Sequence, residues 1–177
     1  HPAIGWNSAI HGWVLPMAMI DQDIVLRTAA CSPAYGTEFG YAHHIVFERF
    51  AKMLGVVGSL MNMIVCAQWP PSRRWMQQRL RQSGDGPSPQ EIEHGWFKVS
   101  FDAISGGNRA SAEVSGGDPG YGETAKILVQ AGLCLVEDGN LPALAGLLTP
   151  AQSMGDALIE RLRNVGIDFR NKVPGSN

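Results

Sequence analysis

The chain has 177 residues, 45% hydrophobic and 17% charged, with a formal net charge of −2, which describes a globular domain large enough to bury a core. Fourteen Lys and Arg against sixteen Asp and Glu leave no basic surplus with which to argue for nucleic acid. The three cysteines, Cys31, Cys66 and Cys134, are widely spread and form no C-x-x-C pair, which excludes a disulfide framework and a cysteine-based zinc site.

In chain order, residues 1–20 are apolar and aromatic, and Gly12–Pro16 reads as a short strand. Asp21 suits the N-cap of a helix through Ala30, with Ile24, Val25 and Thr28 on one side. Arg27, near the end of that helix, suits the dipole there; it equally suits a bidentate clamp on a substrate carboxylate or phosphate, with the structural role preferred. Tyr41–Glu48 reads as a strand. His43 and His44 are adjacent and so point to opposite faces, as ordinary polar side chains rather than a metal pair.

Between Met53 and Ala67 the only polar side chains are Ser59 and Asn62. This stretch falls short of the roughly twenty apolar residues that span a bilayer, so a buried helix is expected. A second helix, capped by Ser72 after Pro70-Pro71, carries Arg73, Arg74, Arg79 and Arg81 among Trp75, Met76 and Leu80. This apolar-then-basic hairpin, residues 50–82, suits core packing, an interfacial membrane anchor, an oligomer interface or the lining of an acyl channel.

Residues 83–95 are a Gly/Pro-rich, flexible connection. Trp96–Ile104 alternates as a strand with Phe97, Val99 and Phe101 on one face. Gly106-Gly107-Asn108 turns it into a partner strand, Arg109–Val114. Glu137–Leu147 is loop. Thr149-Pro150 opens a helix to about Asn164, with Met154, Leu158 and Leu162 on one stripe. Gly166 ends it, and Ile167–Phe169 is a last short strand. Hairpins with separated helices predict an α+β fold, a mixed but mostly antiparallel sheet with packed helices, as one domain over 1–177.

The stretch from Ser115 to Lys126 holds four glycines within seven residues, followed at once by a helical stripe of Ala125, Leu128, Val129 and Leu133. Asp118 and Pro119 suit N-cap and N1 of that helix, with a later start near Tyr121 as the alternative. Loop then helix makes either an anion site or a plain turn, the turn being preferred. The glycine density predicts φ > 0 for at least one of Gly117, Gly120 and Gly122. The contact candidates for substrate or cofactor are Arg27, Gly117, Asp118, Gly120, Tyr121, Gly122, Glu123 and Lys126. With no nucleophile motif, no His-x-x-x-His and no ordered carboxylates, catalytic residues stay unassigned and no metal is expected. Tyr121 and Lys126, five apart, do not share a helix face.

Three ordered blocks carry a resemblance: Met19–Thr28 followed by Tyr35–Tyr41, then SGGDPGYGETAKILVQAGLCL, then TPAQSMGDALIERLRNVGIDF. Together they resemble the C-terminal half of saccharopine dehydrogenase-like oxidoreductases, closest to the bacterial branch of trans-acting enoyl reductases, over roughly residues 13–170. The resemblance implies a C-terminal substrate-binding and dimerisation domain, without the N-terminal Rossmann unit and its Gly-x-Gly-x-x-Gly turn. It implies NAD(P) in the full-length protein, bound mainly by that missing N-terminal domain, with none in this chain and no activity when isolated. Its implied partners are that cofactor domain, a second copy in a homodimer, and an acyl-chain or lipid ligand, in lipid metabolism. The cysteine usage points to a cytoplasmic protein, and the 50–81 hairpin adds the option of peripheral membrane contact. The alternative is a non-enzymatic lipid- or membrane-associated or dimerisation module.

Overall fold

Two separate three-stranded antiparallel sheets carry the strands in the computed structural model, which describes residues 4–8, 10–17, 20–79 and 85–172. The fold is α+β, as the alternation of hairpins and helices requires. The chain divides at Asp85/Gly86 into two compact units, one sheet in each.

In the first unit β1 (Gly5–Asn7), β2 (Gly12–Pro16) and β3 (His44–Phe47) form a meander with β2 in the middle. The close β2–β3 approach explains Gly12, where a Cβ would come within 2.6 Å of the Val46 side chain. Trp13 sits between Trp6 and Phe50, at ring separations of 5.9 and 4.7 Å. Helix α1 (Ile20–Ala30) includes Asp21 in its first turn. Strand β3 is shorter than the sequence suggests: Tyr41 and His43 precede it, and their side chains face elsewhere, as described below.

Helix α2 (Phe50–Gln68) is left largely uncovered by its own chain. Phe50 is anchored on Trp13 and Met53 is buried, but every residue from Leu54 to Val65 is exposed. The helix is also longer than the apolar run alone predicts, and by length and composition it could cross a membrane. Helix α3 (Pro70–Arg79) begins at the prolines, not after a Ser72 cap, because proline at the first helical positions sacrifices no needed N–H. The Ser72 hydroxyl instead fastens the corner, 2.5 Å from the Cys66 carbonyl and 3.0 Å from that of Trp69. Arg79 stacks over Trp75, 4.3 Å from the ring centroid. Leu80, Arg81, Ser83 and Gly84 lie outside the described residues.

Within the stretch expected to be a flexible connection, Pro89–His94 folds as α4, closed by a capping box between Ser88 and Glu91. Strands β4 (Phe97–Ser105) and β5 (Asn108–Gly116) make the predicted hairpin, turned by Gly106 and Gly107 at φ 55° and 83°. The last strand, β6 (Asp168–Lys172), pairs antiparallel with β5, which is therefore central. Glu113 on β5 is buried between two diagonal cross-strand neighbours, Lys98 at 2.8 Å and Lys172 at 2.6 Å.

Helix α5 (Gly122–Glu137) packs against the C-terminal helices. The single helix expected from Thr149 to Asn164 is two, α6 (Pro150–Ser153) and α7 (Gly155–Asn164), because Met154 leaves helical geometry and Gly155 takes φ 50°. The core of this unit is Cys134, Met154, Leu158, Leu162 and Ile167, flanked by Phe97, Val114 and Phe169 from the sheet. The expected stripe on the C-terminal helices is thus the stripe that packs.

Candidate functional site

The glycine-rich loop joins β5 to α5, and helix α5 takes the later of the two predicted starts, at Gly122. None of Gly116, Gly117, Gly120 and Gly122 has a positive φ, so the expectation of left-handed backbone there is wrong. Two of these glycines serve close approach instead. A Cβ on Gly116 would lie 2.6 Å from the Phe97 ring, and one on Gly117 would lie 2.9 Å from Glu123 Oε1. The tightest backbone approach is one the sequence did not reveal: a Cβ on Gly95 would sit 2.9 Å from the Cα of Asp118.

Asp118 is the loop's organiser. Its Oδ2 accepts the N–H groups of Tyr121 at 2.6 Å and Gly122 at 2.9 Å. Those donations, Gly122 first, hold its carboxyl below the usual range. The Asp118 carbonyl accepts the Glu123 N–H at 2.8 Å. Glu123 is 5% exposed; its Oε1 accepts the Gly117 N–H at 3.1 Å and the Lys126 ammonium at 2.9 Å. Its Oε2 is buried without a hydrogen-bond partner. The structure therefore brings Gly117, Asp118, Gly122, Glu123 and Lys126 together. The backbone N–H of Gly120 also helps to hold the Asp118 carboxylate, and Tyr121 gives it its N–H while its ring stays exposed. Arg27 belongs to α1 of the first unit.

This arrangement does not fit a dinucleotide pyrophosphate. The helix-terminal amides such a group would need are taken by Asp118, and two carboxylates against one lysine leave the loop negative.

A second cluster forms in the first unit. His43 Nδ1 bonds to Asp21 Oδ2, and the Tyr41 ring lies 6.5 Å from the His43 ring. Burial, then the charge of Asp21, raises the Tyr41 phenol above its ordinary pKa. Asp21 Oδ1 is buried without a hydrogen-bond partner. A carboxylate on Nδ1 orients an imidazole and fixes its tautomer, leaving Nε2 to hold or release a proton. The two segments of the first sequence block thus converge, Asp21 from Met19–Thr28 and Tyr41 from Tyr35–Tyr41, on a histidine just beyond them. Reading His43 only against its neighbour His44 missed this partner, 22 residues away.

Between α5 and α7 lies a groove of about 510 Å³ lined by Gln130, Asp138, Asn140, Glu160, Arg161 and Asn164. Arg161 is forked onto Asp138 at 2.7 and 2.9 Å and reaches Glu137 at 2.9 Å. Its pairing, mainly with Arg161, brings the Asp138 carboxyl down to about 2. With its charge already met by two carboxylates, Arg161 is not a ready anion receptor. Cys134 beneath is fully buried, and burial raises its thiol pKa, which makes it a core residue and no nucleophile. Among the described residues, no group of three or more His, Cys, Asp or Glu is placed to hold a metal.

Comparison with known proteins gives a consistent set of relatives. The chain is 39% identical over 165 residues to a Mycobacterium tuberculosis protein provisionally named trans-acting enoyl reductase, covering 87% of this chain and 39% of the relative. It is 32% identical over 154 residues to the trans-acting enoyl reductase of Mycobacterium ulcerans, covering 81% of this chain and 37% of that protein. A Mycobacterium bovis protein of the same name is 36% identical over 97 residues, 54% of this chain and 23% of its own length. The chain spans about two-fifths of the length of the first of these relatives. No protein-family model matches it, and no solved structure matches it significantly. Over most of its length, this chain is similar to proteins named trans-acting enoyl reductase.

Proposed function

We propose that this chain is the substrate-side part of an NAD(P)-dependent oxidoreductase of the saccharopine dehydrogenase-like kind, one that reduces the carbon–carbon double bond of an enoyl chain. The observation that carries the reading is the identity of 39% over 87% of the chain to a protein named for that activity. The nicotinamide cofactor supplies the reducing equivalents when bound, and it binds mainly outside these residues. The negative, self-capped loop at Gly116–Gly122 agrees with that division.

Saturating an enoyl thioester also requires a proton at the carbon next to the carbonyl. The Asp21–His43 pair is suited to deliver one from Nε2, because Asp21 occupies the other ring nitrogen and holds the ring in place. The Glu123–Lys126 pair shapes the loop in front of α5.

The test uses the chain extended to the length of its relatives, with NADPH and an enoyl thioester. Acyl-dependent NADPH oxidation is expected, with His43→Asn lowering kcat by about 10²-fold or more while circular dichroism stays unchanged. Absence of acyl-dependent oxidation by the unaltered protein would overturn the assignment. Full activity in His43→Asn would remove the histidine's role alone.

A further inference from the structure

Helix α2 presents two different sides. Gly55, Ser59, Asn62 and Cys66, spaced i, i+4, i+7 and i+11, share one small and polar stripe. Opposite them lie Leu54, Val57, Leu60, Met61, Ile64 and Val65, each between 38% and 61% exposed. An apolar face of this extent left open on a folded chain marks a contact site. The charges beside it are of one sign. From Arg49 to Arg79 the chain has no Asp or Glu, and it carries Arg49, Lys52, Arg73, Arg74 and Arg79. Lys52 is paired with Glu48 at 3.0 Å, just before the segment. Arg73, Arg74 and Arg79 have no carboxylate partner among the described residues. Trp69 and Trp75, 66% and 55% exposed, stand among them.

We infer that the α2–α3 hairpin docks the protein on an anionic lipid bilayer. Helix α2 lies in the plane of one leaflet, its apolar face in the acyl boundary and its Gly55–Cys66 stripe toward water. The arginines meet lipid phosphates, and the tryptophans sit at headgroup depth. The polar stripe argues for lying over spanning, since Asn62 has only a 3.7 Å contact from the Cys66 thiol to satisfy it in hydrocarbon. Charge separates the bilayer from a second copy of the chain: a self-complementary contact would bring two cationic sets together with no carboxylate between them. This inference does not rest on the oxidoreductase reading.

Flotation of the whole chain with phosphatidylcholine vesicles, with and without a third of phosphatidylglycerol, tests it. The protein is expected to float with the anionic vesicles only, with a blue shift of tryptophan emission. Each arginine removed in Arg73→Ser and Arg74→Ser should weaken partitioning about fivefold. Leu60→Asp, at an exposed position that the fold tolerates, should weaken it at least about tenfold. Failure to float, or equal flotation with neutral vesicles, would overturn the inference. So would a dimer by light scattering that Leu60→Asp dissociates while vesicles stay unbound; that outcome assigns the face to a second copy.

Discussion

Helix α2 exposes nine large apolar side chains, whereas α7, with four charged residues in ten, places Leu158 and Leu162 in a core cluster of five. The more apolar helix is the unburied one. What separates them is arrangement, because α7 sets its leucines four apart on a narrow stripe that a sheet and a helix can cover. Helix α2 is apolar over a broader arc, and from Leu54 to Val65 that arc stays exposed. Hydrophobic content alone therefore does not say where the core is.

The most direct way to break this comparison is to truncate both helices alike. Leu158→Ala should cost about 2–5 kcal/mol, the range for emptying a packed leucine site. Leu60→Ala should stay within about 0.5 kcal/mol, as surface changes do. Urea unfolding followed by circular dichroism measures both. Equal losses would mean that α2 is packed in solution.

A smaller effect sharpens the packed side. Gly95→Ala suits the backbone there, at φ −66° and ψ 144°. Its new Cβ would nevertheless lie 2.7 Å from the Asp118 Cβ and 2.9 Å from its Cα. Overpacking of this kind costs about 1–3 kcal/mol. Because Asp118 must move, the cap on α5 should loosen too, read as faster amide exchange at Tyr121 and Gly122. A variant as stable as the parent would show that the two segments are not in contact.

These two tests mark how far the sequence could be read. The hairpin at Gly106-Gly107 and the stripe of Met154, Leu158 and Leu162 were legible because period and turn chemistry are local. The use of Gly116 and Gly117 was not. Glycine density reports either left-handed backbone or close approach, and only the positions of Phe97 and Glu123 decide between them. The burial of Met53 alone in α2 was equally hidden, since a continuous apolar run has no preferred face. The Asp21–His43 pair depends on α1 and the approach to β3 meeting across 22 residues, which no spacing rule registers.

The charged interior of the second unit makes a pH prediction. Lys172 and Lys98 bring the Glu113 carboxyl down from 4.5 to about 2 in the folded state. A depressed carboxyl contributes stability fully above its unfolded pKa, and that stability is lost as the pH falls through the folded value. Urea midpoints should therefore be flat above about pH 5 and drop between about 4.5 and 2. Glu113→Gln should flatten part of that drop, and Asp138→Asn another part, since Arg161 lowers Asp138 in the same sense. An unchanged acid limb in both variants would contradict the pairing.

The smallest effect has the opposite sign. Gly122 is the first residue of α5 and its φ is not positive. A Cβ there would meet the Ile92 side chain at 3.5 Å and the Asp118 Cβ at 3.6 Å, both ordinary van der Waals distances. Alanine should thus fit without strain, keep the N–H that Asp118 accepts, and restrict the unfolded chain. A gain of about 0.4–1 kcal/mol is expected, measured as a higher urea midpoint. Gly116→Ala, whose Cβ would strike the Phe97 ring at 2.6 Å, should lose stability under the same conditions. If both alanines destabilise alike, the loop is tighter than its geometry shows; opposite signs would establish that its glycines do separate jobs, contact at Gly116 and mere tolerance at Gly122.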